Sequence, residues 1–164
     1  MAQPGSGLYS CIVVGYDGSD AARAAVERAL GIARLTGAKL TVVTVVPPPT
    51  VFLGELLLPE VIDVSAVEEP ARKQLEALVK EIKEAGGFDR VEPVILMGDP
   101  ADELVHYAEE NGCDLIVVGR RGRGGLERLI LGSVSSKIVN ISHGVDVLVV
   151  ESASVARKKE EKSK

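Results

Sequence analysis

The sequence predicts a single α/β domain with an open parallel sheet that helices cover on both faces. Short apolar runs alternate along the chain with amphipathic patterns of helical spacing, which is the order that builds parallel sheets. Of the 164 residues, 46% are hydrophobic and only 3% are aromatic, so the core must be built from aliphatic side chains. Such a core suits β-branched strands buried between two layers of helices.

Five apolar runs are the predicted strands. The first, second and fourth are nearly continuous hydrophobic segments, which is typical of parallel strands buried on both faces. Right-handed connections would wind the first three strands in one direction and the last two in the other. The result is a doubly wound, Rossmann-like sheet of strand order 3-2-1-4-5. The runs cover residues 11–15, 40–46, 91–97, 114–119 and 145–150.

Four helical patterns lie between these runs. In each pattern, apolar residues recur at spacings of three and four, so that they line one face of a helix. Strands and helices together define one domain, residues 10–151, between an N-terminal segment (1–9) and a charged tail (152–164) that are both expected to be flexible. The patterns extend from Ala22 to Ala33, from Leu75 to Ile82, from Ala101 to Ala108 and from Val134 to Ile141.

Local signals predict where two of the helices begin. Asp99 precedes Pro100, a pair that is typical of an N-cap followed by the first helical residue. Ser65 and Glu68 have the spacing of a capping box, which predicts a helix start near Ser65. The apolar, proline-broken stretch from Pro47 to Ser65 is long for a connection, and we expect it to be a lid or a contact surface.

The composition excludes several classes of protein. A net charge of −5 argues against a nucleic-acid partner, because nucleic-acid binders carry a basic surplus. The chain shows neither a signal-peptide pattern nor an uninterrupted membrane span, so no membrane association is expected. Cys11 and Cys113 adjoin predicted buried strands and are expected to be buried free thiols, which predicts a reducing, cytoplasmic location. Asn and Gln are scarce beside abundant charge, a composition that favours a thermophilic source.

The predicted topology also indicates where a ligand would bind. In doubly wound sheets the ligand crevice lies beyond the carboxyl ends of the strands, at the point where the winding reverses. Here that point lies between the first and fourth strands. The loop that leaves the first strand contains Tyr16 and Asp17, and the loop that leaves the fourth begins at Gly119. Both loops combine glycine with charged residues, so we expect the functional site there.

The second loop and the helix after it have the features of a phosphate-binding segment. Gly119 and Gly122 have no side chains that would keep backbone N–H groups away from an anion. Gly132 and Ser133 open the last predicted helix, whose N-terminus favours negative charge, and Ser135 adds a second hydroxyl. Four arginines add positive charge to the loop: Arg120, Arg121, Arg123 and Arg128. A solvated surface loop, with Ser133 as a simple helix cap, remains an open interpretation of these residues.

The spacing of these glycines resembles the nucleotide-binding motif of the universal stress protein family, in its ATP-binding branch. Two residues separate Gly119 from Gly122, and nine separate Gly122 from the pair Gly132-Ser133. The resemblance covers residues 10–151. Two further segments are similar to the family's first strand with its acidic loop and to the exit of its third strand, namely VVGYDGS at 13–19 and MGDP at 97–100.

The resemblance implies that ATP or AMP binds between strands one and four, with Mg²⁺ accompanying ATP. Asp17 would contact the ribose or the nearby phosphate and metal, Val45 would meet adenine through its backbone, and Gly119 would lie against the ribose. From its position alone, Asp17 could instead form an Asx turn or cap a helix. The residues around the phosphates would be Gly122, Gly132, Ser133, Val134 and Ser135. The other residues of the implied site are Tyr16, Gly98, Val118 and Arg121.

The resemblance also implies a homodimer in which the last strand, from Val145 to Val150, pairs with its copy. No catalytic constellation is evident, because His106 and His143 are expected to be surface groups and no cluster has the spacing of metal ligands. We therefore predict a nucleotide-dependent regulatory or stress-response module rather than an enzyme. A slow ATPase or phosphotransfer enzyme that uses the same pocket, and a structural dimer without nucleotide, remain open alternatives.

Overall fold

Strands and helices alternate along the computed structural model, which describes residues 7–48, 64–120 and 132–152. The elements in chain order are β1 (Cys11–Gly15), α1 (Asp20–Thr36), β2 (Lys39–Val46), α2 (Val64–Glu84), β3 (Val91–Met97), α3 (Pro100–Glu110), β4 (Leu115–Gly119), α4 (Ser133–Ile141) and β5 (Asp146–Val150). Within these residues the strands form one parallel sheet of order β3-β2-β1-β4-β5. The predicted fold class and strand order are confirmed.

Strand β1 lies at the centre of the sheet, between β2 and β4. Ile12 pairs in register with Leu40 of β2 on one side and with Leu115 of β4 on the other. All three strands run in the same direction, so their carboxyl ends reach the same edge of the sheet. Gly15 and Gly119, the last residues of β1 and β4, therefore open towards a common site.

Each face of the sheet has its own buried cluster, because successive strand residues point to opposite faces. On one face, Ile12 and Val14 pack with apolar residues of α1 and α2. On the other face, Val13 packs with apolar residues of α3 and with Ile138 of α4. These four side chains are fully buried, and burial of one Val or Ile side chain contributes about 1.5–3 kcal/mol. The helices are thus held on both faces, as double winding requires.

Local capping explains the starts of α1 and α3. Ser19 accepts a hydrogen bond from the Ala22 N–H at 3.1 Å, and Asp99 accepts one from the Asp102 N–H at 3.0 Å. Each bond satisfies one of the backbone donors that the first turn of a helix leaves unpaired. The predicted N-cap at Asp99 is confirmed, with Pro100 as the first helical residue.

Helix α2 begins at Val64, within one residue of the start predicted near Ser65, but Ser65 does not occupy the cap position. Ser65 lies inside the helix, and Pro70 is also accommodated within it. The apolar face of α2 packs on the sheet through residues such as Leu75 and Ile82. This tertiary burial outweighs the local preference of a serine for the cap position. Most of the connection predicted to be a lid, residues 49–63, lies outside the described residues.

The prediction of free thiols is wrong, because Cys11 and Cys113 form a disulfide. Cys11 begins β1, and Cys113 lies just before β4. These strands are neighbours in the sheet, which brings the two Cα atoms to 4.5 Å, within the range that a disulfide spans. The disulfide therefore fastens together the two strands whose far ends open towards the predicted site.

Candidate functional site

Loops and helix starts at the carboxyl edge of the sheet surround one crevice. The predicted site residues that line it are Tyr16 and Asp17 after β1, Val45 in β2, Val118 and Gly119 in β4, and Gly132, Val134 and Ser135 at the start of α4. Within the described part of the chain, Gly98 and Ser133 do not line the crevice. Arg121 and Gly122 lie outside the described residues.

Tyr16 ties the first loop to β2. Its N–H donates to the Val43 carbonyl at 2.8 Å, and its own carbonyl accepts from the Thr44 hydroxyl at 2.8 Å. Its side chain is buried in the core cluster with α1 and α2. The backbone pairing with β2 thus continues past the end of β1, so that Asp17 and Val45 line the same crevice.

Asp17 forms the Asx turn that its position allows. One carboxylate oxygen accepts a hydrogen bond from the Ser19 N–H at 2.9 Å, directly before Ser19 caps α1. The residue is exposed at the crevice, and the turn fixes the orientation of its carboxylate. Because a carboxylate offers about four acceptor sites, the turn bond is chemically compatible with a hydrogen bond from a ligand hydroxyl.

Gly119, the last residue of β4, packs against the first turn of α1. A Cβ atom at this position would overlap the backbone carbonyl of Ala21. A glycine is therefore required here because α1 approaches β4 closely. This packing is a second reason for the glycine, beside the close approach of a ligand that the sequence predicts. Ala21 and Gly119 both line the crevice, so this contact sets the spacing of the two elements there.

Replacement of Gly119 by alanine is expected to lower the free energy of unfolding by about 1–3 kcal/mol, the usual cost of overpacking. The obstacle is a backbone atom, which cannot move aside as the end of a flexible side chain can. Urea denaturation measures the change. Gly31→Ala in α1 is the matched control, because its added Cβ would meet no atom within 4 Å. It should raise stability by up to about 1 kcal/mol, and a Gly119→Ala protein as stable as the parent would contradict the prediction.

The N-terminus of α4 has no side-chain cap, in contrast to α1 and α3. Gly132 occupies its N-cap position, and no side-chain hydrogen bond is made there within the described residues. The buried Ser135 hydroxyl donates to the Gly132 carbonyl at 3.1 Å and stabilises the first turn. Uncapped N–H groups at a helix start, together with the positive end of the helix dipole, form a binding site for an anion.

Part of the crevice lining is apolar, and the sequence-based site included Val45, Val118 and Val134 from it. Val43, Pro100 and Leu104 also line the crevice. The helical pattern of α3 identified Leu104 as a core residue, and it is 3% exposed. That the same side chain also reaches the crevice depends on how α3 packs against the sheet, which a helical pattern does not show.

Gly98 joins β3 to α3 in a conformation that favours glycine. Its φ is 145°, and its N–H donates to the Val46 carbonyl at 3.0 Å. A Cβ atom at Gly98 would also press on the Glu103 side chain. The turn leads the chain to Pro100, so Gly98 shapes the crevice without lining it.

A lysine that the sequence-based site omitted joins α3 to α4. Lys137 Nζ lies 3.0 Å from a carboxylate oxygen of Asp99 and 3.0 Å from one of Asp102. The Asp102 backbone N–H, and after it Lys137, hold the pKa of the Asp99 carboxyl below its ordinary value. Asp102 and then Asp99 raise the pKa of Lys137. Asp99 and Lys137 are therefore charged at neutral pH.

The first arginine of the second loop is paired with an acid. Arg120 Nη1 lies 3.2 Å from a carboxylate oxygen of Glu151, and the Arg120 backbone N–H donates to the Val150 carbonyl at 2.8 Å. These bonds anchor the start of the loop to the end of β5. The positive charge of Arg120 is thus partly compensated by its acidic neighbour.

The histidines and the acidic residues of the described ranges form no candidate metal site. No group of three or more His, Cys, Asp or Glu side chains within them is placed to hold a metal ion. His106 is exposed on α3 and pairs with Glu110 at 3.1 Å. None of the described helices is both long enough and apolar enough to span a membrane.

The sequence is similar to one family over most of its length. Residues 9–151 match the model of the universal stress protein family. The universal stress protein MJ0531 of Methanocaldococcus jannaschii is 35% identical over 150 residues, which cover 90% of this chain and 85% of that protein.

Two solved structures of similar fold contain an adenine nucleotide. A universal stress protein in complex with cAMP has a TM-score of 0.67 and 31% identity to this chain, over 88% of this chain and 99% of the other. The universal stress protein from Archaeoglobus fulgidus in complex with dAMP has a TM-score of 0.60 and 27% identity, over 87% of this chain and 98% of the other.

Proposed function

The chain belongs to the universal stress protein family, and on this premise we propose that it binds ATP or AMP in the crevice between β1 and β4. The observation that carries the proposal is the meeting of three features in one crevice. They are an apolar part with Val45 and Leu104, the carboxylate of Asp17, and the uncapped N-terminus of α4. An adenine nucleotide has three matching parts, its base, its ribose hydroxyls and its phosphates. The relatives solved with cAMP and dAMP support an adenine ligand.

Each part of the nucleotide is assigned by its chemistry. Adenine would lie against the apolar lining and bond to the backbone at Val45, since ligand pockets combine apolar surface with a few placed polar groups. The ribose hydroxyls would donate to Asp17, with Gly119 close by. The phosphates would accept hydrogen bonds from the first turn of α4. The residues proposed around the phosphates are Arg121, Gly122, Gly132, Ser133, Val134 and Ser135.

Calorimetric titration tests the proposal. ATP and AMP should each bind with a dissociation constant in the micromolar range, and inorganic phosphate, which lacks base and ribose, should bind more weakly. Denaturation of the purified protein should also release any adenine nucleotide that it retains. A folded protein that gives no binding heat with either nucleotide would exclude the proposed site.

We propose that the bound nucleotide serves a regulatory or stress-response role. Binding would change the shape of the crevice or the affinity for a partner, with Mg²⁺ supplied alongside ATP. A single-turnover incubation with ATP and Mg²⁺ separates this role from a slow ATPase in the same pocket. Recovery of intact ATP supports the regulatory module, whereas formation of ADP and phosphate favours the enzyme.

We also propose a homodimer formed through β5. This strand lies at one edge of the described sheet, and Val147, Leu148 and Val149 are only partly buried. An uncovered apolar edge strand invites pairing with another chain. A second copy of β5 would satisfy the open backbone groups and cover these side chains.

Light scattering at micromolar protein concentration is expected to give twice the chain mass of 17.3 kDa. The Val147→Lys/Val149→Lys variant should be monomeric, because like charges would face each other across the paired edges. Circular dichroism of the variant checks that it is folded. A monomeric mass for the parent protein would exclude the dimer.

We propose a cytoplasmic location and a domain that extends over residues 10–151. ATP and AMP are cytoplasmic metabolites, so a module that responds to them would act there. Disulfides are rare in the cytoplasm of mesophiles but occur in intracellular proteins of hyperthermophiles. The Cys11–Cys113 disulfide would then agree with the thermophilic source that the composition suggests. Fractionation of the source cells tests the location.

A further inference from the structure

Two carboxylates lie next to the crevice, and one lysine compensates them. Asp99 caps α3 beside Pro100, and Pro100 lines the crevice. Lys137 of α4 contacts both Asp99 and Asp102 at 3.0 Å. The ion pairs therefore join two helices whose N-terminal residues line the same crevice.

Lys137 is close to the N-terminus of α4. It follows Ser133, the first residue of that helix, by one helical turn, or about 6 Å along the axis at 1.5 Å per residue. This separation is shorter than the Debye length of about 8 Å at physiological ionic strength. An anion at the start of α4 would therefore still feel the charges of this cluster at physiological ionic strength.

Helix α3, whose first turn contacts Lys137, is acidic. Helix α3 has the sequence PADELVHYAEE, with four carboxylates and no lysine or arginine, and α4 has the sequence SVSSKIVNI, with Lys137 as its one basic residue. His106 of α3 pairs with Glu110 and not with this cluster. Asp99 and Asp102 together with Lys137 carry a net charge of −1, and without Lys137 they would carry −2.

We propose that Lys137 is a positioning residue of the nucleotide site that also sets how much phosphate charge the site accepts. It ties the middle of α4 to the start of α3, and it cancels carboxylate charge that would repel the phosphates. This inference rests on the proposed nucleotide binding. The inference deepens that proposal, because it names Lys137 as the residue that makes the site prefer charged nucleotides to adenosine.

Titration of the Lys137→Met variant with ATP, AMP and adenosine tests the inference. Methionine keeps most of the length of the side chain and removes its charge. The affinity should fall about tenfold for ATP and about threefold for AMP, since the repulsion scales with ligand charge, and adenosine should bind as it does to the parent. At 0.5 M salt the losses for ATP and AMP should shrink, because the Debye length becomes shorter.

A second ion pair of the same type provides the matched control. Lys39 pairs with Glu92 at 2.7 Å and is about as exposed as Lys137. It lies at the start of β2, at the amino ends of the strands, whereas the crevice lies at their carboxyl ends. Lys39→Met should bind all three ligands as the parent does. Lys137→Arg should retain ATP binding, and Asp102→Asn should restore part of it in the Lys137→Met background.

The outcomes separate the inference from the proposed function. If Lys137→Met weakened ATP, AMP and adenosine equally, or weakened none of them, the charge-setting role of Lys137 would be overturned while nucleotide binding stood. A failure of Asp102→Asn to restore any ATP binding would also overturn it. If the parent bound none of the three ligands, the proposed function would fail and this inference with it.

Discussion

Reduction of the Cys11–Cys113 disulfide is expected to lower the free energy of unfolding by about 2–4 kcal/mol. The cross-link joins residues that are 102 positions apart, so its loss gives the unfolded chain much more conformational freedom. A change of this size corresponds to a factor of about 30 or more in the folding equilibrium. Urea denaturation of the parent with and without a dithiol reductant measures the difference.

The Cys11→Ser/Cys113→Ser variant is the control for this experiment. Its unfolding transition should lie near that of the reduced parent, and the dithiol should have no effect on it. Oxidised and reduced parent with the same transition midpoint would show that the disulfide contributes nothing to stability. The sequence contained the signal for this disulfide, because both cysteines adjoin strands that the predicted order makes neighbours.

The strands were predictable because their signal is local. Each is a short run rich in aliphatic residues, and the observed bounds differ from the predicted ones by one residue at most. The differences have physical reasons. Lys39 has an exposed side chain, yet its backbone pairs with Cys11, so β2 begins one residue before the apolar run. Asp114 precedes β4, where its carboxylate accepts hydrogen bonds from the backbone of Ser10 and Cys11.

The candidate site could be predicted only where its interactions join residues that are neighbours in sequence. The Asx turn at Asp17 and the N-cap at Asp99 involve neighbours in sequence. The glycine at position 119 predicts that another group packs closely on the backbone there, without identifying that group as Ala21. The pair formed by Lys137 and Asp99 joins residues 38 positions apart, and no local pattern distinguishes Lys137 from a solvated lysine. Contacts between distant segments depend on how the helices pack, which the sequence pattern alone does not specify.

Replacement of Asp17 by alanine is expected to separate nucleotide binding from simple anion binding. A helix N-terminus binds phosphate or sulfate whatever is attached to it. A carboxylate repels bare anions, yet it accepts hydrogen bonds from ribose hydroxyls and can hold a phosphate-bound Mg²⁺. Asp17→Ala should therefore weaken ATP binding about 10- to 100-fold, for the loss of a charge-assisted hydrogen bond of about 1.5–3 kcal/mol. Binding of inorganic phosphate should be unchanged or improved.

Asp17→Asn is the matched control, because its amide oxygen can still accept the hydrogen bond from the Ser19 N–H that forms the turn. If the carboxylate contacts the nucleotide, both variants should lose affinity for ATP in calorimetry while both retain phosphate binding. If Asp17 only shapes the turn, the Asn variant should bind ATP as the parent does, and the Ala variant should lose ATP and phosphate together. An Asp17→Ala protein that bound ATP as tightly as the parent would leave Asp17 with no part in binding, and the ribose contact would then have to be made by another residue of the crevice.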